Sequence, residues 1–243
     1  IIVCFFLVIG LFAYFRKDLP NLKDISGDKI GGSIRYYDRT GETLLFEDYD
    51  AVKRIPVKDD QINQYVKDAT VAVEDKEFFE HSGFDVKGIA RAAVNDVAHR
   101  GAAQGGSTIT QQLVKLNNNW TKDKTITRKI KELILSVELE RTYSKKEILT
   151  GYLNAAPYGN VQNGVEAATR DYFDKSAKDL TLDEATFLAA IPKAPSIYSP
   201  YGPRFNAEAL KSRQHYILDV MVSEGMITKK QADEAKKVDI LAK

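Results

Sequence analysis

The residues able to do chemistry in this sequence gather in three stretches. In VAVEDKEFFEHSGFD, residues 71–85, Glu74, Asp75, Glu77 and Glu80 stand beside Lys76, Phe78, Phe79 and His81. A carboxylate within hydrogen-bond reach of a hydroxyl can serve as a general base, worth roughly 10²–10⁴-fold in rate. In GAAQGGSTITQQLVK, residues 101–115, a glycine-rich loop leads through Gly106 and Ser107 into Thr108, Gln111, Gln112 and Lys115. Free N–H groups at a helix start, flanked by hydroxyls, suit an oxyanion. In TRKIKELILSVELER, residues 127–141, Arg128, Lys129 and Glu132 share about one helical turn. They make either a salt-bridged surface or a phosphate-facing set of cations.

Taken singly, each stretch has a plainer explanation. Ile62, Tyr65, Val66, Ala69 and Val73 form a helical apolar stripe, and at 100° per residue Glu74 lies about 130° from its centre, the place of a surface carboxylate. His81 suits a helix C-terminus. Ser107 is a serviceable N-cap, the loop before it fits neither a P-loop nor a nucleophile elbow, and an i,i+4 pair such as Arg128 with Glu132 contributes only about 0.2–0.5 kcal/mol. The three histidines, at 81, 99 and 215, lack metal-ligand spacing, and the S-x-x-K match from Ser26 to Lys29 has no S-D-N or K-T-G companion.

The elements that must position these residues are mostly helical. Residues 32–57 carry β-branched and aromatic runs on both sides of Asp38-Arg39-Thr40-Gly41, a hairpin signature. From residue 61 the hydrophobic period becomes helical, and helices are expected near 61–79, 86–99, 108–118, 125–142, 145–154, 162–173, 182–191, 206–223 and 229–236. Ser144 with Glu147, Thr181 with Glu184 and Thr228 with Gln231 fit capping boxes, while Pro192 and Gly225 mark stops. The opening IIVCFFLVIGLFAYF is an apolar run of fifteen residues read as the outer end of a membrane anchor in preference to a signal peptide or a buried core helix, with Arg16 and Lys17 leaving its orientation open. The lone cysteine, Cys4, excludes a disulfide within the chain. The net charge of +1 hides a basic excess: residues 115–146 hold nine Lys/Arg against four Asp/Glu. Such a segment is either a solvated helix face or what an anionic ligand would need, and a nucleic-acid protein would be basic throughout.

It is the order of the stretches that identifies them. EDKEFFEHSGFD (74–85), GGSTITQQLVK (105–115), RKIKE (128–132), KKEILTGYLN (145–154) and RQHYILDVM (213–221) resemble the five successive motifs of the peptidoglycan glycosyltransferases, glycosyltransferase family 51, over roughly residues 55–236. The hairpin region further looks like the segment preceding this domain in bifunctional class A penicillin-binding proteins. The resemblance implies a mainly α, lysozyme-like domain over 58–243, preceded by a linker and β-hairpin region over 16–57 and a partial transmembrane anchor over 1–15. It implies a place on the outer face of the bacterial cytoplasmic membrane, where lipid II is polymerised into glycan strands.

By motif position, the resemblance makes Glu74 the general base and Glu132 the second essential carboxylate. Thr108, Gln112, Lys115, Arg128 and Lys129 match diphosphate-binding positions, and Asp75, Lys76, Phe78, His81, Gly106, Ser107, Gln111, Asn154 and Arg213 complete the substrate-binding set. A divalent cation, Mg²⁺ or Mn²⁺, is used by some members, and no organic cofactor is implied. Expected partners are lipid II, the growing glycan chain, moenomycin-type inhibitors and other cell-wall synthesis proteins. The sequence departs from the family's usual wording at Lys76, Leu116, Gln214 and Ala155-Ala156-Pro157. A lysine at 76 lacks the bidentate fork of arginine. Two other functions fit the same residues, a lysozyme-like glycan hydrolase and a non-catalytic lipid II-binding scaffold.

Overall fold

The computed structural model describes residues 10, 14, 34–48, 53–85, 88, 106–121 and 125–242. The anchor expected over 1–15 and the helix expected over 86–99 therefore lie outside the described residues, single positions apart. No helix among the described residues is long and apolar enough to cross a membrane.

The described chain is mainly helical. The strands are β1 Ile34–Tyr37, β2 Leu44–Asp48, β3 Lys53–Arg54 and β4 Gln162–Asn163. The helices are α1 Gln64–Glu74, α2 Ile109–Asn117, α3 Ile126–Thr142, α4 Lys145–Ala155, α5 Val165–Phe173, α6 Leu182–Ala190, α7 Pro195–Tyr198, α8 Ala207–Ser223 and α9 Lys229–Lys236. The chain forms two compact units, one of Ile1–Leu22 and Glu74–Tyr152, the other of Lys23–Val73 and Leu153–Lys243.

In the second unit β1 and β2 pair antiparallel, as the turn residues predict, with Ile34 opposite Asp48 and Tyr36 opposite Phe46. Asp38 builds the turn: its Oδ1 accepts from the Thr40 hydroxyl and from the N–H groups of Thr40, Glu42 and Thr43. The Thr40 bond leads in holding this carboxyl down to about 2. The hairpin does not extend to residue 57, because β3 pairs in parallel with β4, Lys53 opposite Gln162 and Arg54 opposite Asn163. The core of this unit is α6, all of whose residues are buried, packed on α8.

In the first unit α2 packs on α3. Ile109, Leu113, Val114, Ile134, Leu135, Leu139, Ile148 and Phe78 are all buried there, and the i, i+4 spacing of Ile109 with Leu113 and of Leu135 with Leu139 gives α2 and α3 each an apolar face. The capping boxes at Thr181 and Thr228 form as expected, and a further one joins Thr108 to Gln111.

The helix expected over 61–79 is shorter at both ends, beginning at Gln64 and ending at Glu74. Tight turns follow, closed by Phe78 N–H to Asp75 O at 3.0 Å and His81 N–H to Glu77 O at 3.1 Å. The turns bury Phe78 fully and leave the Asp75 carboxylate able to cap another helix, which a continued helix would not do. Gly83 closes this region with φ of +92°; a Cβ there would meet Val137 N at 2.7 Å and the Ser136 carbonyl carbon at 2.8 Å. The Gly83 carbonyl accepts from Thr108 Oγ1 at 3.0 Å. Gly83→Ala is expected to cost about 1–3 kcal/mol through backbone strain and displacement of α3, read as a lowered midpoint in thermal unfolding.

Candidate active site

The motif residues 74–81, 106–115 and 128–132 fall in the first unit, and α2 is its central rail. Thr108, Gln111, Gln112 and Lys115 recur at i, i+3, i+4 and i+7, so helical geometry puts them on one face. Gln112 Nε2 donates to Glu74 Oε2 at 2.9 Å. The Tyr152 hydroxyl donates to Gln112 Oε1 at 3.3 Å, which turns the amide nitrogen toward the glutamate. Glu74 itself is half-buried at the end of α1, with its Oε2 accepting from Gln112.

One turn along α2 lies Lys115. Burial is the main cause that lowers its ammonium below the ordinary lysine range. Glu132 and Glu74 raise it, while Arg128 and Lys129 lower it further. This lysine therefore stands in the fields of both glutamates.

On α3, Thr125 caps the first turn by accepting from Arg128 N–H. That turn carries Arg128 and Lys129 on either side of Glu132, which is 1% exposed. Arg128 Nη1 bonds Glu132 Oε2, and Lys129 Nζ bonds Glu132 Oε1 at 2.5 Å and Ser107 Oγ at 2.9 Å. Both Glu132 oxygens thus serve cations. Gln111 Oε1 accepts from Thr108 N–H and from Lys129. Two buried donors, Gln111 Nε2 and Arg128 Nε, have no acceptor among the described residues. Buried donors without acceptors are costly, and here they adjoin a cationic cluster, the setting an anion's oxygens would satisfy.

The remaining residues expected at the site are placed differently. Lys76 is exposed, and Gly106 is half-buried before α2. Phe78 is fully buried. Asp75 and His81 pair with each other, Asp75 Oδ2 lying 2.9 Å from His81 Nε2 and also accepting from Ile109 N–H at 2.9 Å. His81 is therefore partnered by a carboxylate and not by a helix C-terminus. Asn154 and Arg213 belong to the second unit. Asn154 is fully buried and bonds both the N–H and the carbonyl of Val57; Arg213 Nε donates to the Ala190 carbonyl and its guanidinium lies 5.5 Å from the Tyr198 ring centroid.

Sequence reasoning named Thr110 in the glycine-rich stretch but did not single out Glu140, Lys145 or Tyr152, which are joined to these residues. Glu140 stands eight residues after Glu132, hence on a neighbouring face of α3, and that spacing was the one signal available. No group of three His, Cys, Asp or Glu side chains among the described residues makes a metal site. With both Glu132 oxygens engaged by cations, the donor set does not fit a divalent ion.

Comparison with known proteins adds family context to this geometry. A family model described as Transglycosylase matches residues 41–222. Penicillin-binding protein 1F of Bacillus subtilis is 46% identical over 183 residues, covering 75% of this chain and 25% of that protein. Penicillin-binding protein 1A of Vibrio cholerae is 36% identical over 236 residues, covering 97% of this chain and 28% of that protein. Among solved structures, that of penicillin-binding protein 1A from Haemophilus influenzae covers 87% of this chain and 21% of its own, with TM-score 0.47 and 24% identity. The chain spans about a quarter of the length of the curated relatives it matches.

Proposed function

The chain belongs to the transglycosylase family, and from that premise we propose that it is a peptidoglycan glycosyltransferase that polymerises lipid II into β-1,4-linked glycan strands. The observation that carries this reading is the face of α2, which holds Gln112 against Glu74 and, one turn on, sets Lys115 in the fields of both Glu74 and Glu132. A base and an anion site then share one rigid element.

In the proposed reaction, Glu74 removes the proton from the 4-hydroxyl of the acceptor GlcNAc. The freed oxygen attacks C1 of the donor MurNAc as the bond from C1 to the diphosphate oxygen breaks. The configuration inverts, and polyprenyl diphosphate leaves with the bonding electron pair. Charge grows on the diphosphate as the sugar acquires oxocarbenium character. Arg128, Lys129 and Lys115, with the Gln111 Nε2 donor, are arranged to stabilise it without reorganising. The cations do this work alone in the proposal, which routes no step through Mg²⁺ or Mn²⁺.

The same reading assigns a lysozyme-like domain to residues 58–243, a linker and hairpin region to 16–57 and the outer part of a membrane anchor to 1–15. It places the domain on the outer face of the cytoplasmic membrane, beside the lipid phase that holds its substrate, and makes moenomycin-type phosphoglycolipids competitors for the basic cluster. Incubation of the protein with lipid II is expected to yield high-molecular-weight glycan and free polyprenyl diphosphate. Release of soluble fragments from intact cell walls with no lipid II consumed would identify a hydrolase instead.

Lys115 gives a pH test. Its ammonium is below the ordinary lysine range in the free protein, and a bound diphosphate favours the charged form. Anion affinity is therefore full below the lowered value and falls as pH rises through it. KM for lipid II is expected to climb on the alkaline side at a pH below the ordinary lysine range, and Lys115→Arg is expected to move that rise upward. A rise at the same pH in the variant would remove Lys115 from the anion site.

A further inference from the structure

Beneath the proposed base lies a buried charged network for which the reaction above has no use. His81 is held on both sides: its Nε2 lies 2.9 Å from Asp75 Oδ2, and its Nδ1 lies 3.4 Å from Lys145 Nζ and 3.6 Å from Glu140 Oε1. A carboxylate only accepts, so the Asp75 contact puts the ring proton on Nε2 and leaves Nδ1 facing the ammonium. Lys145 donates to Glu140 Oε2 at 2.7 Å and to the His81 carbonyl at 2.6 Å, and it sits 4.6 Å from the Phe78 ring centroid. Glu140 also accepts from Thr110 Oγ1 at 2.5 Å. The Asp75, His81 and Glu140 side chains are 4%, 7% and 6% exposed and that of Lys145 is 22% exposed, so the network lies mostly out of solvent.

The network ties together the ends of four helices. Asp75 directly follows Glu74, and its Oδ2 takes the first N–H of α2, that of Ile109. Thr110, the next residue of α2, is tied through Glu140 to α3, and Lys145 opens α4. Gln112, which holds Glu74, stands two residues after Thr110 on the same short helix. Burying four charged or polar groups is expensive unless all are paired, and paired they fix one arrangement.

We propose that Glu140 and Lys145 are positioning residues of the glycosyltransferase: through His81 and Asp75 they set the first turn of α2 against the end of α1 and so hold Gln112 in register with Glu74. This rests on the function proposed above. A displacement of about 1 Å at such a contact can cost roughly 10²-fold in rate, although neither residue reaches Glu74 itself.

The test uses Lys145→Met, Lys145→Arg and the pair Lys145→Met with Glu140→Gln. Lys145→Met is expected to lower kcat on lipid II roughly 10–100-fold with KM changed less than about twofold, and Lys145→Arg, which restores a donor to Glu140, is expected to recover most of it. Combined with Gln112→Ala, Lys145→Met is expected to add little further loss, since both act on one contact. The Gln112 side-chain amide resonance, read without substrate, is expected to shift in Lys145→Met and to return in Lys145→Arg. Should Lys145→Met fail to fold, the pair that removes both charges leaves no unpaired ion and gives the same readings.

A loss confined to the folded fraction, with kcat per folded molecule at the wild-type value, would reduce the network to a structural one and overturn the proposal. An unmoved Gln112 resonance would overturn it whatever the activity. Absence of polymer from the wild-type protein would instead refute the glycosyltransferase reading, and the resonance would still decide whether the network positions Gln112.

Discussion

If the chain has the proposed activity, Glu74→Gln is expected to lower lipid II polymerisation about 10²–10⁴-fold while leaving the fold in place. The substitution keeps the side chain's size and an oxygen for Gln112 Nε2 to donate to, so the contact at 2.9 Å survives in kind. What disappears is the ability to accept a proton from the attacking hydroxyl. A positioned general base contributes roughly 10²–10⁴-fold, and a neutral amide supplies none of it, so kcat is expected to fall by about that factor. KM should change little, because the acceptor hydroxyl can still hydrogen-bond the amide. Glu74 is half-buried and no part of the apolar core, so the thermal midpoint should stay within about 1–2 °C, the shift of a surface change of less than 0.5 kcal/mol. Polymer formed at the wild-type rate by a folded Glu74→Gln protein would take the base away from this residue. Gln112→Ala makes the graded companion: it keeps the base but frees its orientation, and should cost less than Glu74→Gln.

How far the site was legible in the sequence depends on the range of the interactions that build it. Local chemistry was readable: the Thr181 and Thr228 capping boxes, the hairpin turn at Asp38 and the extents of α2 and α3 follow from residues within a few positions of one another. The intrahelical pairing of Arg128 with Glu132 was visible for the same reason, but its burial was not. A charged i,i+4 pair looks alike on a wet face and in a closed one, and only the packing of α3 on α2 distinguishes them.

The early end of α1 was not visible either, because it depends on contacts distant in sequence. Helical periodicity runs on past Glu74, yet the chain turns so that Asp75 can take the Ile109 N–H, thirty-four residues away. The parallel pairing of β3 with β4 spans more than a hundred residues, from Lys53 to Gln162, and two-residue strands leave no periodic trace. Glu74 shows the same limit at the level of function: its own helix marked it as a surface carboxylate, and only the order of motifs, through the family resemblance, made it the expected base.

Glu132→Gln should separate orientation from attraction at the anion site. In the folded protein the Glu132 carboxylate is 1% exposed and shared by Arg128 at one oxygen and Lys129 at the other. A carboxylate there opposes a diphosphate electrostatically, so a purely attractive site would work better without it. Its geometry indicates a different contribution, that of holding two adjacent cations at fixed positions. Neutralising it leaves Arg128 and Lys129 without their common partner and removes one of the two influences that raise Lys115, whose ammonium should drop still lower. At neutral pH the cluster is then more positive but less ordered. Ground-state anion binding should hold or tighten, so KM for lipid II and the dissociation constant for inorganic pyrophosphate should stay level or fall. Stabilisation of the developing charge, which needs the donors already in place, should weaken. The expected signature is a kcat lowered by roughly 10²–10³-fold, the scale of one misaligned electrostatic donor, with no rise in KM. Stability should also suffer, since breaking a buried ion pair by removing one partner costs about 3–5 kcal/mol, partly offset here because the amide can still accept one of the two bonds. Glu132→Ala, which can accept neither, should sit lower in thermal midpoint than Glu132→Gln. If Glu132→Gln raised KM tenfold with kcat intact, the carboxylate would be acting in substrate binding, and the orienting role would fail.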